Sequence, residues 1–203
     1  MSVGGERLIC RPAYRELGYE TAPATIWLRL EAAEALKRAA GLLPAELTLV
    51  LWDGWRPLEL QAQLYAGYRA TLAAERGLTG EELERETRRF VAAQSADPVA
   101  PSPHLSGGAI DLTLGDAAGR PLAMGGDFDE LSERSRTAHY ERDGLAEAER
   151  RYRDRRRLLC SVMAAAGFSN YPEEWWHFDR GNQADHFRVG GPARYGAVLS
   201  PPG

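Results

Sequence analysis

The chain has 203 residues, 44% of them hydrophobic and 27% charged, with a formal net charge of −4 and two cysteines. That much apolar residue can bury a core and excludes wholesale disorder, while two cysteines exclude a disulfide framework or a cysteine-rich metal module. No run approaches the ~18 consecutive apolar residues of a spanning helix, and the opening MSVGGERLICRP has no apolar stretch followed by a small-residue cleavage site; no membrane association and a cytoplasmic address are expected.

No repeat, linker or low-complexity tract divides the chain, which reads as one domain over residues 1–203. Leu36, with alanines at 32, 33, 39 and 40, marks a helix that Gly41 and Pro44 stop. Leu47 to Trp52 is a short apolar run closed by Asp53-Gly54, a buried strand. From Pro57 the residues Leu60, Leu64, Tyr68 and Leu72 recur every four positions and predict a helix with one apolar stripe. Thr79-Gly80-Glu81-Glu82 has the spacing of a capping box, opening a helix that runs to about Phe90-Val91 before the prolines at 98, 101 and 103.

Ala109 to Leu114 reads as a strand with Ile110, Leu112 and Leu114 on one face and Asp111 on the other. A further helix is expected from about Glu141 to Ala166, ended by Gly167. Its stretch Arg150 to Arg157 is the densest basic run, but interleaved acids make it a solvated helix face, and no nucleic-acid partner is expected. Glu174 to Asp179 is aromatic enough for a strand. Helices and strands mix without a βαβ repeat, so the expected class is α+β, a small and mostly antiparallel sheet flanked by helices.

Chemistry concentrates in three places. In SPHLSGGAID, His104 precedes a strand and Asp111 lies within it, with Gly107-Gly108 allowing close backbone approach between them. In PEEWWHFD, His177 is the second imidazole; two histidines and one aspartate make three ligands and leave a fourth position for water, as in a catalytic zinc site. Glu174 beside such a site suits a general base and acid, with Glu173 as its competitor. Because residues three apart face opposite sides of a pleat, Glu174 should lie in a turn just before the strand. Trp175 and His177 would then face the site, and Trp176 and Phe178 the core. Between a strand end and a helix start, Arg56 could stabilise an oxyanion or simply pair with Asp53. His139, His186 and both cysteines have no such partners and read as ordinary surface or packing residues.

Taken together, LVLWDGWRP, SPHLSGGAIDLTL, MGGDFDE with the nearby ERS, and EEWWHF resemble the successive blocks of the VanX-type D-alanyl-D-alanine dipeptidases. These are zinc peptidases grouped with lysostaphin-like peptidases and the hedgehog signalling domain. The resemblance runs from about Leu47 to Phe178. It implies a hedgehog/D-Ala-D-Ala peptidase-like fold and one Zn2+ per chain on His104, Asp111 and His177. It further implies Glu174 as base and acid, Arg56 stabilising the transition state, and Ser102 with Asp129 holding the substrate ammonium. The implied substrate is D-Ala-D-Ala or a closely related small dipeptide. A peptidoglycan carboxypeptidase or endopeptidase on the same site, and a zinc-stabilised binding module that cuts nothing, are the alternatives.

Overall fold

The computed structural model describes residues 1–130 and 132–200. Five strands, β1 Leu8–Cys10, β2 Leu47–Asp53, β3 Ala109–Asp116, β4 Ser169–Asn170 and β5 His177–Asp179, form one sheet in the order β1-β2-β3-β5-β4. β1 runs parallel to β2 and every other pairing is antiparallel, so the α+β expectation with a mostly antiparallel sheet holds. The helices are α1 Ala13–Glu16, α2 Leu30–Leu42, α3 Leu58–Arg76, α4 Gly80–Phe90, α5 Glu147–Ala165 and α6 Gln183–Val189. No helix among the described residues is long and apolar enough to cross a membrane.

Alternation along the strands divides the sheet into two functions. Leu49 and Leu51 of β2, Ile110, Leu112 and Leu114 of β3 and Phe178 of β5 enter the main core, with Leu36 and the alanines of α2 and with Leu159 and Met163 of α5. Fully burying a side chain of this size stabilises the fold by about 1.5–3 kcal/mol, so this face dominates the energetics of the sheet. The opposite face carries Asp53, Asp111 and His177, all buried. They lie abreast because Asp53 pairs with Asp111 across β2 and β3, and Asp111 pairs with His177 across β3 and β5. The register slips between Leu51 and Asp53, a local bulge of the kind that re-aims side chains beside active sites.

Three expectations need correction. α5 begins at Glu147, not near Glu141, because Thr137–Tyr140 forms a separate 3-10 turn and Gly144 takes a left-handed φ of 73°. The Glu149 carboxylate then accepts the Ala146 N–H at 2.9 Å and starts the helix. Thr79 does precede α4, but its side chain makes no capping hydrogen bond. The basic stretch is not wholly solvated: Arg156 is buried, and its guanidinium donates to the carbonyls of Met124, Arg134 and Arg136 at 2.7–2.8 Å.

Candidate active site

His104 sits on a 3-10 turn, His104–Ser106, directly before β3. The chain turns back into the strand at Gly107, whose φ of 69° favours glycine, and at Gly108, where a Cβ would lie 2.6 Å from the Arg180 carbonyl oxygen. This return brings the imidazole over the polar face of the sheet. His104 Nδ1 donates to the Gly54 carbonyl at 2.8 Å, which leaves Nε2 with its lone pair towards the site. His177 is oriented the opposite way round: Nε2 donates to Asp179 Oδ2 at 2.9 Å, and Nδ1 carries the free lone pair.

Those two lone pairs face each other at 3.2 Å, and the Asp111 carboxylate lies 3.0 Å from His177 Nδ1 and 3.3 Å from His104 Nε2. The donor atoms of His104, Asp111 and His177 all fall within 4.8 Å of one another. Acceptors converging without a hydrogen between them repel unless a cation stands among them, so this donor set fits a metal ion. The three residues expected to bind metal are thus brought together, each with its outward nitrogen or oxygen fixed by a neighbour.

Glu174 Oε2 lies 3.8 Å from His177 Nδ1. Residues 172–176 form turns, with the Glu174 N–H donating to the Tyr171 carbonyl and the His177 N–H donating to that of Glu174, so Glu174 does precede the strand. Burial pushes its carboxyl up to about 8; His177 opposes the rise, and Asp111 and Asp129 add to it. Glu173 is turned away, held by Arg89 at 3.1 Å and Arg136 at 3.2 Å. Trp176 enters the main core as expected but also borders the cavity, whereas Trp175 does not face the site and packs in the core against Trp52. Pleating begins only at His177, so strict alternation does not govern residues 175 and 176.

Arg56 is buried and joins both readings made of it. Its Nε donates to Asp53 at 2.8 Å, Nη1 to Gln61 at 2.9 Å, and Nη2 lies 3.3 Å from both Asp111 Oδ2 and the Tyr14 hydroxyl. Burial opposes its charge, but Tyr14, Asp53, Asp111 and Asp129 outweigh it and hold the guanidinium protonated. Asp129, at a left-handed φ of 57°, accepts from the Tyr14 hydroxyl at 2.7 Å. Burial raises its carboxyl to about 6. Ser102 is placed elsewhere: its hydroxyl accepts the Ser95 N–H at 2.8 Å, donates to the Ala93 carbonyl at 3.2 Å and is absent from the lining of the cavity. Ser102 and Asp129, expected to hold the substrate ammonium together, are thus not brought to one place, because that hydroxyl closes the 93–102 loop.

All the other site residues border one cavity of about 500 Å3. Three of its polar members were not foreseen: Tyr14, Gln61 and Asp179. Asp179 alone carried a local signal, since a residue two positions beyond His177 in a strand shares its face. Tyr14 reaches Asp129 across 115 positions, and no spacing rule anticipates such a contact.

Comparison with known proteins agrees with this geometry. The chain is 35% identical over 148 residues to the D-alanyl-D-alanine dipeptidase of Synechocystis, a match covering 66% of this chain and 60% of that protein. It is 36% identical over 138 residues to that of Enterococcus faecalis, covering 64% and 60%, and 31% identical over 153 residues to that of Escherichia coli, covering 75% and 65%. The matched part of the chain thus spans a little under two thirds of each relative's length. A family model described as D-Ala-D-Ala dipeptidase matches residues 16–195, a range that includes every site residue except Tyr14, and the chain belongs to that peptidase family.

Proposed function

We infer that this chain is a zinc-dependent dipeptidase that hydrolyses D-Ala-D-Ala or a closely related short D-amino-acid dipeptide, with one Zn2+ per chain. The observation that carries this reading is the convergence of His104, Asp111 and His177 with the half-buried carboxyl of Glu174 beside them. Two imidazoles and a carboxylate suit zinc, and three protein ligands belong to catalytic sites more than to closed structural ones. When bound, zinc supplies Lewis acidity towards the peptide carbonyl and acidifies the attacking water.

The chain's own groups divide the remaining work. Glu174 takes the proton of the attacking water and returns it to the leaving amine, and beside a bound cation its carboxyl would be ionised and so able to begin the cycle. Arg56, fixed by Asp53 and Gln61, keeps Nη2 towards the site, where a guanidinium stabilises developing negative charge on the carbonyl oxygen. Asp129 receives the substrate ammonium; its carboxylate, held by the Tyr14 hydroxyl, borders the same cavity as Arg56 and Glu174. Ser102 contributes by holding the loop that leads into Pro103 and His104.

The test is to incubate metal-loaded protein with D-Ala-D-Ala, mixed L,D dipeptides and a tripeptide, and to follow free amino acid. Cleavage of dipeptides alone is the expected result. Cleavage of the longer peptide would replace this reading by a carboxypeptidase or endopeptidase, and stoichiometric zinc without cleavage would make the domain a binding module.

A further inference from the structure

The turn that carries His104 is too short to hold itself. A single 3-10 turn closes few hydrogen bonds of its own, so its carbonyls must be met from outside. Four successive ones are. The His104 carbonyl accepts the Arg56 N–H at 3.4 Å, that of Leu105 the Val198 N–H at 2.9 Å, that of Ser106 Arg29 Nε at 2.9 Å, and that of Gly107 the Arg29 N–H at 2.8 Å.

The donors at Val198 and Arg29 are tied to one segment, residues 194–198. The N–H groups of Arg194 and Tyr195 both donate to the Gly181 carbonyl, at 2.7 and 2.9 Å, and the Gly196 carbonyl accepts Arg29 Nη2 at 2.9 Å. The buried Tyr195 ring leaves no room for a Cβ on Gly108, which would come within 2.8 Å of it, so the segment packs flush against the glycine through which the chain enters β3. The Val198 carbonyl accepts the indole N–H of the buried Trp55 at 2.7 Å. Trp55 stands between Arg56 and Gly54, whose carbonyl accepts His104 Nδ1. Val198 thus bonds through its N–H to the turn of His104 and through its carbonyl to the loop that orients the imidazole. Neither Trp55 nor Val198 borders the cavity, and Val198 lies past residue 195, where the match to the peptidase family ends.

Resting on the reading of His104 as a metal ligand, we propose that residues 194–198 form a strap that positions His104, with Trp55 and Val198 as its clasp. To present Nε2 beside Asp111 and His177, the imidazole needs its own turn and its Gly54 acceptor in a fixed relation, and the strap joins the two from outside the cavity. Trp55 and Val198 are positioning residues: they act on the metal site only through His104.

The zinc affinity of the full chain, measured by competition with a chromogenic chelator, tests the strap without any assay of turnover. Trp55→Phe keeps a buried ring and removes the indole N–H; Val198→Pro, at a half-buried position, removes the N–H that meets Leu105. Each should weaken zinc about tenfold, the lower end of the loss that follows when a ligand's supporting partner is removed. Arg156→Lys, which loosens packing around α5 and alters neither loop, controls for general destabilisation and should bind zinc as the wild type does. Weakening by Val198→Pro alone supports the strap and leaves Trp55 out of its clasp, and Val198→Pro decides if Trp55→Phe does not fold. Weakening by Trp55→Phe alone, by all three variants alike or by none overturns the strap while a zinc-binding wild type keeps the metal-site reading. A wild-type chain that binds no zinc overturns both.

Discussion

His177 Nε2 and Asp179 Oδ2 lie 2.9 Å apart on the same face of β5, two residues from one another. Asp179 is fully buried and is itself held by Asn182 at 2.5 Å and by Arg188, and its carboxyl is kept low, to about 2, because His177 and Arg188 outweigh the burial that would raise it. The pair fixes which imidazole nitrogen faces the metal position. Asp179→Asn should therefore lower metal affinity about 10–100-fold without unfolding the chain. Competition with a chromogenic chelator, alongside far-UV circular dichroism, measures both; an unchanged affinity would mean that the tautomer of His177 is set elsewhere.

Glu174 is the sharpest point of the proposed mechanism because it neighbours the group of His104, Asp111 and His177 that could hold a metal ion without belonging to it. Glu174→Gln keeps the shape of the side chain and removes the base. Turnover should fall by at least about 10^2-fold, with zinc still bound at one equivalent. Glu173→Gln, which alters a carboxylate engaged with Arg89 and Arg136, should leave turnover close to wild type. Steady-state rates on metal-quantified protein decide the matter, and the opposite ranking of the two variants would transfer the base to Glu173.

Much of this site could be read from sequence because its residues sit where local rules are strong. The alternation of Ile110, Leu112 and Leu114 fixes the direction of Asp111, and the glycines after His104 announce the sharp return into β3. Rules of one strand or one helix fail where partners come from afar. Parallel β1 rests on pairing between Leu8 and Leu49, Tyr14 finds its role only through Asp129, and Trp175 joins the core with Trp176 because a turn interrupts the pleat. Arg156 is the clearest case: within a run of solvated arginines, nothing local marks the one that lies beneath a loop of carbonyls.

Asp129 sets the expected pH dependence. Its carboxyl, raised by burial to about 6, is neutral below that pH and then attracts an ammonium weakly. The kcat/KM profile, which reports free-enzyme groups, should fall as pH drops through about 6. The Tyr14 hydroxyl lowers this pKa by donating to the anion, so Tyr14→Phe should move that limb to higher pH. Asp129→Asn should abolish the limb and raise KM throughout. Profiles for the three proteins on D-Ala-D-Ala test the assignment, which a limb persisting in Asp129→Asn would refute.

Arg156 links stability to substrate binding. Its guanidinium is buried with no carboxylate among the described residues accepting from it, so burial pulls its pKa down to about 10, and it stacks over Tyr140 at 4.9 Å and Trp175 at 5.3 Å. Removing it leaves the carbonyls of Met124, Arg134 and Arg136 without that donor and opens a gap beside Trp175. Arg156→Ala should therefore cost roughly 3–5 kcal/mol in urea denaturation. Arg156→Lys should recover only part of this, since an ammonium cannot reproduce the planar fork that reaches three carbonyls. Those carbonyls flank the segment that carries Asp129, so a loosened segment misplaces the ammonium anchor while the metal ligands on the sheet keep their register. In Arg156→Lys assayed well below its unfolding temperature, KM should accordingly rise several-fold with kcat nearly unchanged; a matching fall in kcat would show that the disturbance reaches the metal site instead.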